Sequence, residues 1–301
     1  MDSIPDMERA GSTTKIDLET TPRVERALGL QWRIDKDEFA SDVSLQQRSH
    51  TRRGILSVAS SLYDPLGFVA PVTLIPKLVL QNACRQQLQW DERVSEADAE
   101  KWSQWLMNLP ELSKVSIDRC LKPGKLDKSS KIELHMFSDA SEQAYGSAVY
   151  VKIYDAEGNS KCSLVMGKSR LAPIKSISIP RLELAAAVLA VKLYRLVKQE
   201  LHLNIDKRYF WTDSMIVLGY VQNEKRRFKT FVANRLAIIH DVTTPQDWRY
   251  VPTKENPADL ASRGVHTHET DKLSTWLRGP KFLQCDSSHW RATPSPCDDR
   301  C

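Results

Sequence analysis

The sequence predicts an α/β fold with a mixed sheet, preceded by a smaller and mainly helical region. Up to about residue 120, apolar residues recur mostly at helical spacing. After residue 130, short apolar runs joined by turn residues alternate with long amphipathic stretches. Elements that alternate in this way form one sheet with helices on its faces. The length of 301 residues suggests about two domains.

The first region, residues 25–121, follows a polar lead at residues 1–24 that we expect to be disordered. Residues 27–39 alternate apolar and polar side chains around the turn-prone DKDE, which predicts a strand or a hairpin. Amphipathic stretches within residues 51–112 predict three helices. DPLG separates the first helix from the second, and a Ser-Glu capping pattern starts the third.

The second region, residues 130–265, predicts the sheet. A charged, turn-rich segment, KPGKLDKSSK, separates it from the helices. Three meandering strands come first, and helices and strands then alternate. The longest helix has a proline near its first turn, where a missing N–H costs little. The predicted strands are 132–139, 145–154, 163–171, 207–213 and 247–253, and the predicted helices are 180–201, 225–242 and 256–264.

Four carboxylates lie at matched ends of these elements. Asp139 and Asp213 end two strands, while Glu183 and Asp259 lie in the first turns of two helices. If the two strands are parallel neighbours, their aspartates lie side by side and repel each other unless a cation lies between them. Such oxygen ligands favour Mg²⁺ or Mn²⁺. Each acid alone is explained by a helix dipole or a turn, but four in this order predict a metal site.

Basic and polar side chains near these acids are candidates for nucleic-acid contact. The net charge of +5 permits such a partner without requiring it. Lysines and arginines suit phosphate contacts, although a solvated helix face explains them as well. Small polar groups beside the acids are further candidates, since hydroxyl and amide side chains also contact a nucleic-acid backbone. The candidates are Ser141, Gln143, Lys168, Arg170, Lys175, Ser178, Ser214, Lys225, Arg226 and Arg227.

The cysteine pattern and the hydropathy indicate the cellular compartment. The six cysteines are scattered and form no CxxC pair, which favours a reduced intracellular chain. No apolar run approaches the ~20 residues of a membrane span, so we expect no membrane partner. A zinc site remains an alternative, although its spacing fits no common zinc module. Its ligands would be Cys285, His289, Cys297 and Cys301.

Four motifs carry a family resemblance: FSDASEQAYGSAVY, IPRLELAAAVLA, FWTDSMIVLGYV and VPTKENPADLASRG. In order and spacing they resemble the ribonuclease H domain of retroelement Pol polyproteins. YDPLGFVAPV and IPRLELAA resemble the BEL/Pao class of LTR retrotransposons. The resemblance implies a ribonuclease H-like mixed five-stranded sheet with helices on both faces for residues 130–265. It implies a reverse transcriptase palm end and thumb or connection for 25–121, and a linker toward a missing integrase for 266–301.

The resemblance also implies a reaction, the cleavage of the RNA strand of RNA–DNA hybrids with two Mg²⁺ or Mn²⁺ ions. Asp139 would bridge both ions, Glu183 and Asp213 would complete one side, and Asp259 the other. No YxDD-type aspartate pair is present, so no polymerase activity is expected. The expected partners are an RNA–DNA hybrid and the remaining Pol domains, the reverse transcriptase palm and the integrase. The expected location is the cytoplasm, virus-like particles or the nucleus.

One position departs from the family pattern. Tyr250 stands where many ribonucleases H carry a histidine before the last acid, and a phenol cannot shuttle protons near neutral pH as imidazole does. We therefore expect slow turnover. Two alternatives stay open at this point. One is a catalytically silent or domesticated retrotransposon remnant that folds and binds nucleic acid, and the other is a sheet-based protein–protein module, which leaves the four acids unexplained.

Overall fold

The structure is a computed structural model that describes residues 24–27, 30–41, 43, 49–127, 130–223, 227–285 and 290. Nearly all of the predicted polar lead lies outside these residues. The described strands are β1 (Val24–Ala27), β2 (Leu30–Arg33), β3 (Glu38–Ser41), β4 (Ser116–Asp118), β5 (Lys131–Ala140), β6 (Ala144–Tyr154), β7 (Ser160–Leu171), β8 (Lys207–Thr212) and β9 (Trp248–Tyr250). The described helices are α1 (Arg52–Ser61), α2 (Ala70–Arg85), α3 (Glu96–Asn108), α4 (Ile179–Glu200), α5 (Met215–Gln222), α6 (Thr230–His240), α7 (Ala258–Arg263) and α8 (Thr270–Arg278).

Five strands form a mixed sheet in the order β7-β6-β5-β8-β9. The meander β5-β6-β7 is antiparallel, whereas β8 pairs in parallel with β5 and β9 pairs in parallel with β8. This arrangement confirms the predicted α/β class and the ribonuclease H-like mixed five-stranded sheet. Helix α5 was not predicted, because its sequence MIVLGYVQ is apolar almost throughout and shows no helical period.

Different helices cover the two faces of the sheet. Side chains alternate between faces along a strand, so Leu134 and Met136 of β5 point to the side of α4, α5 and α6. Phe137 of β5 packs on the opposite side with Trp211 and with residues of α7 and α8. Strand β5 is consequently buried on both faces, and its carboxyl end is fixed by packing from both sides.

The helices α1, α2 and α3 build their own core around two tryptophans. The indoles of Trp102 and Trp105 stack with ring centroids 5.1 Å apart, and both side chains are buried. Trp105 Nε1 donates a hydrogen bond to the Val72 carbonyl at 2.9 Å, which links α3 to α2. The predicted hairpin corresponds to β2 and β3, which belong to a four-stranded sheet completed by β1 and the short β4.

The DPLG turn joins this helical unit to the outer strand of the large sheet. Gly167 N, in β7, donates to the Leu66 carbonyl at 2.8 Å. Gly67 has a φ of +78°, and a Cβ there would lie 1.8 Å from the Gly167 carbonyl oxygen, so glycine is required. Gln81 Nε2 also donates to the Ala172 carbonyl at 2.6 Å. The helical unit is therefore fixed beside β7.

The predicted linker at residues 266–301 differs from the structure in its described part. Helix α8 folds back onto the sheet, where the Trp276 side chain is fully buried. Its Nε1 donates to the Phe68 carbonyl at 3.0 Å, and its carbonyl accepts from the Tyr150 hydroxyl at 2.7 Å. Leu273, Trp276 and Leu277 form an apolar stripe that a linker would not need. Within the described part of the chain, no helix is long and apolar enough to cross a membrane.

Candidate active site

The carboxyl ends of β5 and β8 form the centre of the site. Ser138 lies opposite Thr212 in the parallel pair, so Asp139 and Asp213 follow at the same level of the sheet. Buried Asn256 connects the two strand ends, because its Nδ2 lies 3.1 Å from the Ser138 carbonyl and 3.4 Å from Asp213 Oδ1. The two strands are parallel neighbours, so the two aspartates lie side by side, as expected for that arrangement.

The third acid comes from the long helix. Glu183 lies in the second turn of α4 rather than in the predicted first turn, because the helix already begins at Ile179. Its Oε2 accepts a hydrogen bond of 2.6 Å from the Ser214 hydroxyl. The same hydroxyl accepts from Val217 N at 3.2 Å and caps helix α5. Ser214 therefore links the starts of two helices and fixes the orientation of Glu183.

The fourth acid belongs to α7, which presents three polar side chains at helical spacing. Asp259, Ser262 and Arg263 lie at positions i, i+3 and i+4 and share one face of the helix. The buried Ser262 hydroxyl donates to Asp139 Oδ2. Arg263 Nε donates to Asp259 Oδ1 at 2.5 Å. Helix α7 thus contacts the first acid through Ser262, while its own acid is paired with Arg263.

An open cavity of about 580 Å³ lies over these strand ends. Asp139, Glu183 and Asp213 line it, together with the predicted Ser141 and Gln143. The Asp259 side chain is not among the residues that line this cavity. The remaining lining residues are Ala140, Glu142, Ile179, Thr253 and Arg263.

The acids perturb one another electrostatically. Burial raises the pKa of Asp139 to about 7, and the negative charges of Asp213 and Asp259 add to the rise, while the Ser262 hydrogen bond opposes it. Burial also raises the pKa of Glu183, which the Ser214 hydrogen bond opposes and the charge of Asp213 increases. The cluster therefore carries more negative charge than its protein surroundings neutralise.

The donor set fits a hard divalent cation. Every candidate ligand is a carboxylate oxygen, which is what Mg²⁺ and Mn²⁺ prefer, and a cation would relieve the repulsion at Asp139. In the described ranges, no three Asp, Glu, His or Cys side chains converge closely enough to hold an ion as they stand. Asp259 is instead paired with Arg263. The two-ion arrangement of the four acids stays a prediction.

The polar residues predicted to contact nucleic acid lie in different surroundings. Ser141 donates to the Ser262 carbonyl at 2.7 Å, and the exposed Gln143 lines the cavity beside it. Ser178 is exposed at the start of α4 and makes no capping bond with its side chain. The Ser214 hydroxyl is already engaged with Glu183.

The predicted basic residues surround the site rather than line it. Lys168 and Arg170 are exposed on β7, Lys175 is exposed in the loop before α4, and Arg227 is exposed before α6. None of these four lines the acid cavity. Lys225 and Arg226 lie outside the described residues, as do three of the four candidate zinc ligands, His289, Cys297 and Cys301.

Sequence analysis missed three side chains that hold the acids. The Asn256 side chain bonds to the start of α7, because its Oδ1 accepts from Ala258 N at 3.1 Å. The predicted helix began at Asn256 itself, whereas α7 begins at Ala258, and an Asn at a helix start was an available signal for such a bond. Ser262 and Arg263 follow Asp259 at i+3 and i+4, so helical spacing already placed them on its face.

Tyr250 is not among the residues that line the acid cavity. It pairs with Thr212 in β9, and its side chain packs against the main core of the sheet. The following loop reaches the cavity with Thr253 instead.

Comparison with known proteins adds the family. The model of the Pao retrotransposon-like RNaseH-like domain matches residues 51–214, more than half of the chain. No curated protein sequence matches. The solved structures that resemble this chain include LC11-RNase H1 in complex with an RNA/DNA hybrid, with 16% identity over 43% of this chain and 91% of that chain, and a TM-score of 0.30.

Two further solved structures come from a microbe and a virus. RNase H1 from the halophilic archaeon Halobacterium salinarum NRC-1 is 13% identical over 42% of this chain and 90% of that chain, with a TM-score of 0.29. The protease-reverse transcriptase of prototype foamy virus is 12% identical over 68% of this chain and 32% of that chain, with a TM-score of 0.23. On the family match, this chain belongs to the Pao retrotransposon-like RNaseH-like domain family.

Proposed function

We propose that this chain is a metal-dependent endonuclease that cleaves the RNA strand of RNA–DNA hybrids. The observation that carries the proposal is the register that puts Asp139 and Asp213 at one level of the sheet, with Glu183 in the same cavity. A structural role does not explain this arrangement, because burial and the nearby charges of Asp213 and Asp259 raise the pKa of Asp139, and ionising that carboxylate therefore costs stability.

Each acid has a defined part in the proposed reaction. Asp139, Glu183 and Asp213 would hold one ion, and Asp139 with Asp259 would hold the other. When bound, the two ions would supply an activated water and stabilisation of the leaving 3′ oxygen. Ser262 fixes one oxygen of Asp139, Ser214 fixes one oxygen of Glu183, and Asn256 contacts Asp213. These three residues position the acids and need not touch the substrate.

Substrate choice would depend on the cavity rim, because a phosphate is common to RNA and DNA. The minor groove of a hybrid exposes the 2′-hydroxyls of the RNA strand. Gln143 and Ser141 line the cavity and Ser178 is exposed at the start of α4, so these polar groups are our candidates for that contact. Lys168, Arg170, Lys175 and Arg227 are exposed and free to contact phosphates of the flanking duplex.

The family implies a working context in a Pol polyprotein. We propose that the reverse transcriptase palm and the integrase are the functional partners of this chain, in the cytoplasm, in virus-like particles or in the nucleus. A hybrid released by reverse transcription is the substrate that such a neighbour would provide.

The test uses four labelled duplexes incubated with the purified chain and Mn²⁺. They are RNA–DNA labelled on the RNA, RNA–DNA labelled on the DNA, double-stranded DNA and double-stranded RNA. We expect cutting of the RNA strand of the hybrid alone, with 3′-hydroxyl and 5′-phosphate ends, and no cutting by Asp213→Asn. Equal cutting of the DNA duplex and the hybrid would contradict the proposal that 2′-hydroxyls in the minor groove determine substrate choice. No cutting of any duplex would favour the silent remnant.

A further inference from the structure

Arg263 places a positive charge at the wall of the acid cavity. Its side chain lines the cavity, in company with Asp139, Glu142, Glu183 and Asp213. Among the described residues that line this cavity it is the single lysine or arginine. Because the cluster is strongly negative, a guanidinium at this position neutralises part of its charge without any bound ion.

The contacts of Arg263 are directed at one acid. Arg263 Nε lies 2.5 Å from Asp259 Oδ1, and the charges of Asp139 and Asp213 reach the guanidinium as well. Asp259 is the predicted ligand that does not line the cavity. Its pairing with Arg263 occupies the carboxylate that the second ion of the proposed site would need.

We propose that Arg263 is the built-in counter-cation of this site, which holds Asp259 until a divalent ion takes that carboxylate and releases the guanidinium toward the substrate phosphate. This inference rests on the proposed function. It assigns charge compensation, followed by phosphate contact, to a residue outside the four acids.

The structure permits this exchange. The Arg263 side chain is 61% exposed, whereas that of Asp259 is 25% exposed, so the arginine can swing away while the aspartate stays in its helical turn. A released guanidinium remains at the cavity wall and offers paired N–H donors that match a phosphate. The neighbouring Ser262 keeps its bond to Asp139 throughout, because that bond does not involve Arg263.

The test is Mn²⁺ affinity, measured by electron paramagnetic resonance and calorimetry without nucleic acid. Arg263→Gln should bind Mn²⁺ roughly two- to fivefold more tightly, the factor that corresponds to losing one partly exposed ion pair. Arg181→Gln is the matched control, because Arg181 is an exposed arginine two residues before Glu183 whose guanidinium lies over the Phe231 ring at 5.1 Å. It should change the affinity less.

A second background separates direct competition from a general charge effect. In the Asp259→Asn background, adding Arg263→Gln should change the Mn²⁺ affinity no more than adding Arg181→Gln does. Equal effects of the two arginine variants in the unaltered background would overturn this proposal and leave the proposed function standing. Absence of Mn²⁺ binding by the unaltered chain would overturn both.

Discussion

Asp139 and Asp213 extend from neighbouring parallel strands at the same level, because Ser138 lies opposite Thr212 in the sheet register. Their proximity has a measurable cost, since the charge of Asp213 adds to the burial that raises the pKa of Asp139. A fold that retains such a pair at a buried strand end is less stable without a cation than with one.

The first prediction concerns Asp139→Asn in the absence of metal. Removing the buried charge should stabilise the fold by roughly 1–3 kcal/mol at pH 8, because the carboxylate has a pKa raised to about 7 and is ionised there against burial and Asp213. Denaturant unfolding measures the change. Glu142→Gln, an exposed acid of the same cavity, is the control and should stay within about 0.5 kcal/mol. A destabilised Asp139→Asn would contradict the electrostatic argument.

The second prediction concerns pH. The pKa of Asp139 is raised in the fold, so between about pH 4 and 7 the folded state keeps a proton that the unfolded state has released. Metal-free stability should therefore fall as the pH rises through this range, and Asp139→Asn should flatten that fall. Mn²⁺ affinity should rise over the same range, with proton release visible by calorimetry in two buffers. Affinity independent of pH would exclude Asp139 as a ligand.

The third prediction concerns Asn256. Replacing it by alanine leaves the Ser138 carbonyl and the Ala258 N–H without their side-chain partner, which should cost roughly 1–3 kcal/mol. Cleavage should fall further than stability explains, because Asp213 loses a positioning contact. Asn234→Ala, at an exposed position of α6, is the matched control for both measurements. Wild-type cleavage by a folded Asn256→Ala would remove the positioning role.

The fourth prediction concerns the position from which a histidine could serve as a general acid. Tyr250 packs against the core, whereas Thr253 lines the acid cavity from the next loop. Thr253→His should raise the cleavage rate and introduce a pH dependence near the imidazole pKa, since a general acid would then reach the site. Tyr250→His should lower stability and leave the rate no higher. The reverse pattern would restore Tyr250 as the position that matters.

The fifth prediction concerns the basic residues around the cavity. Each phosphate contact removed by Lys168→Ala, Arg170→Ala or Lys175→Ala should weaken hybrid binding to all sequences alike and reduce the salt slope by about one unit. Lys192→Ala, at an exposed position of α4, is the control and should leave the slope unchanged. The same measurement applies to the triple change to alanine of Lys225, Arg226 and Arg227. An unchanged slope would identify a solvated face.

The sequence predicted the sheet well because most strands of 130–265 contain a compact apolar run bounded by turns. Three of the four predicted acids line one cavity. They could be predicted because strand ends and helix starts are visible in the sequence. Helix α5 was missed because a continuous apolar stretch carries no period. The pairing of Arg263 with Asp259 was missed as well. Their opposite charges and i, i+4 spacing permit an ion pair, but the same pattern is typical of a solvated helix face.

Strand register was beyond prediction for a different reason. The pairing of Ser138 with Thr212 joins residues 74 positions apart, and only the packing on both faces of the sheet fixes it. The Asn256 contacts to Ser138 and Asp213 depend in turn on that register. Side chains that hold a site together across distant segments therefore become evident only once the chain is folded.

The hydrogen bond between Gly167 and Leu66 affects the stability of the sheet region once it is separated from the helices that precede it. Strand β7 is an outer strand, and the DPLG turn shields part of its free edge. A fragment beginning at residue 130 would leave that edge open and uncover the Trp276 surface that Phe68 contacts. Open edges of this kind pair with those of other copies and drive aggregation. Proteolytic separation of the two regions would therefore yield an aggregation-prone sheet unless the helical unit stayed bound to it.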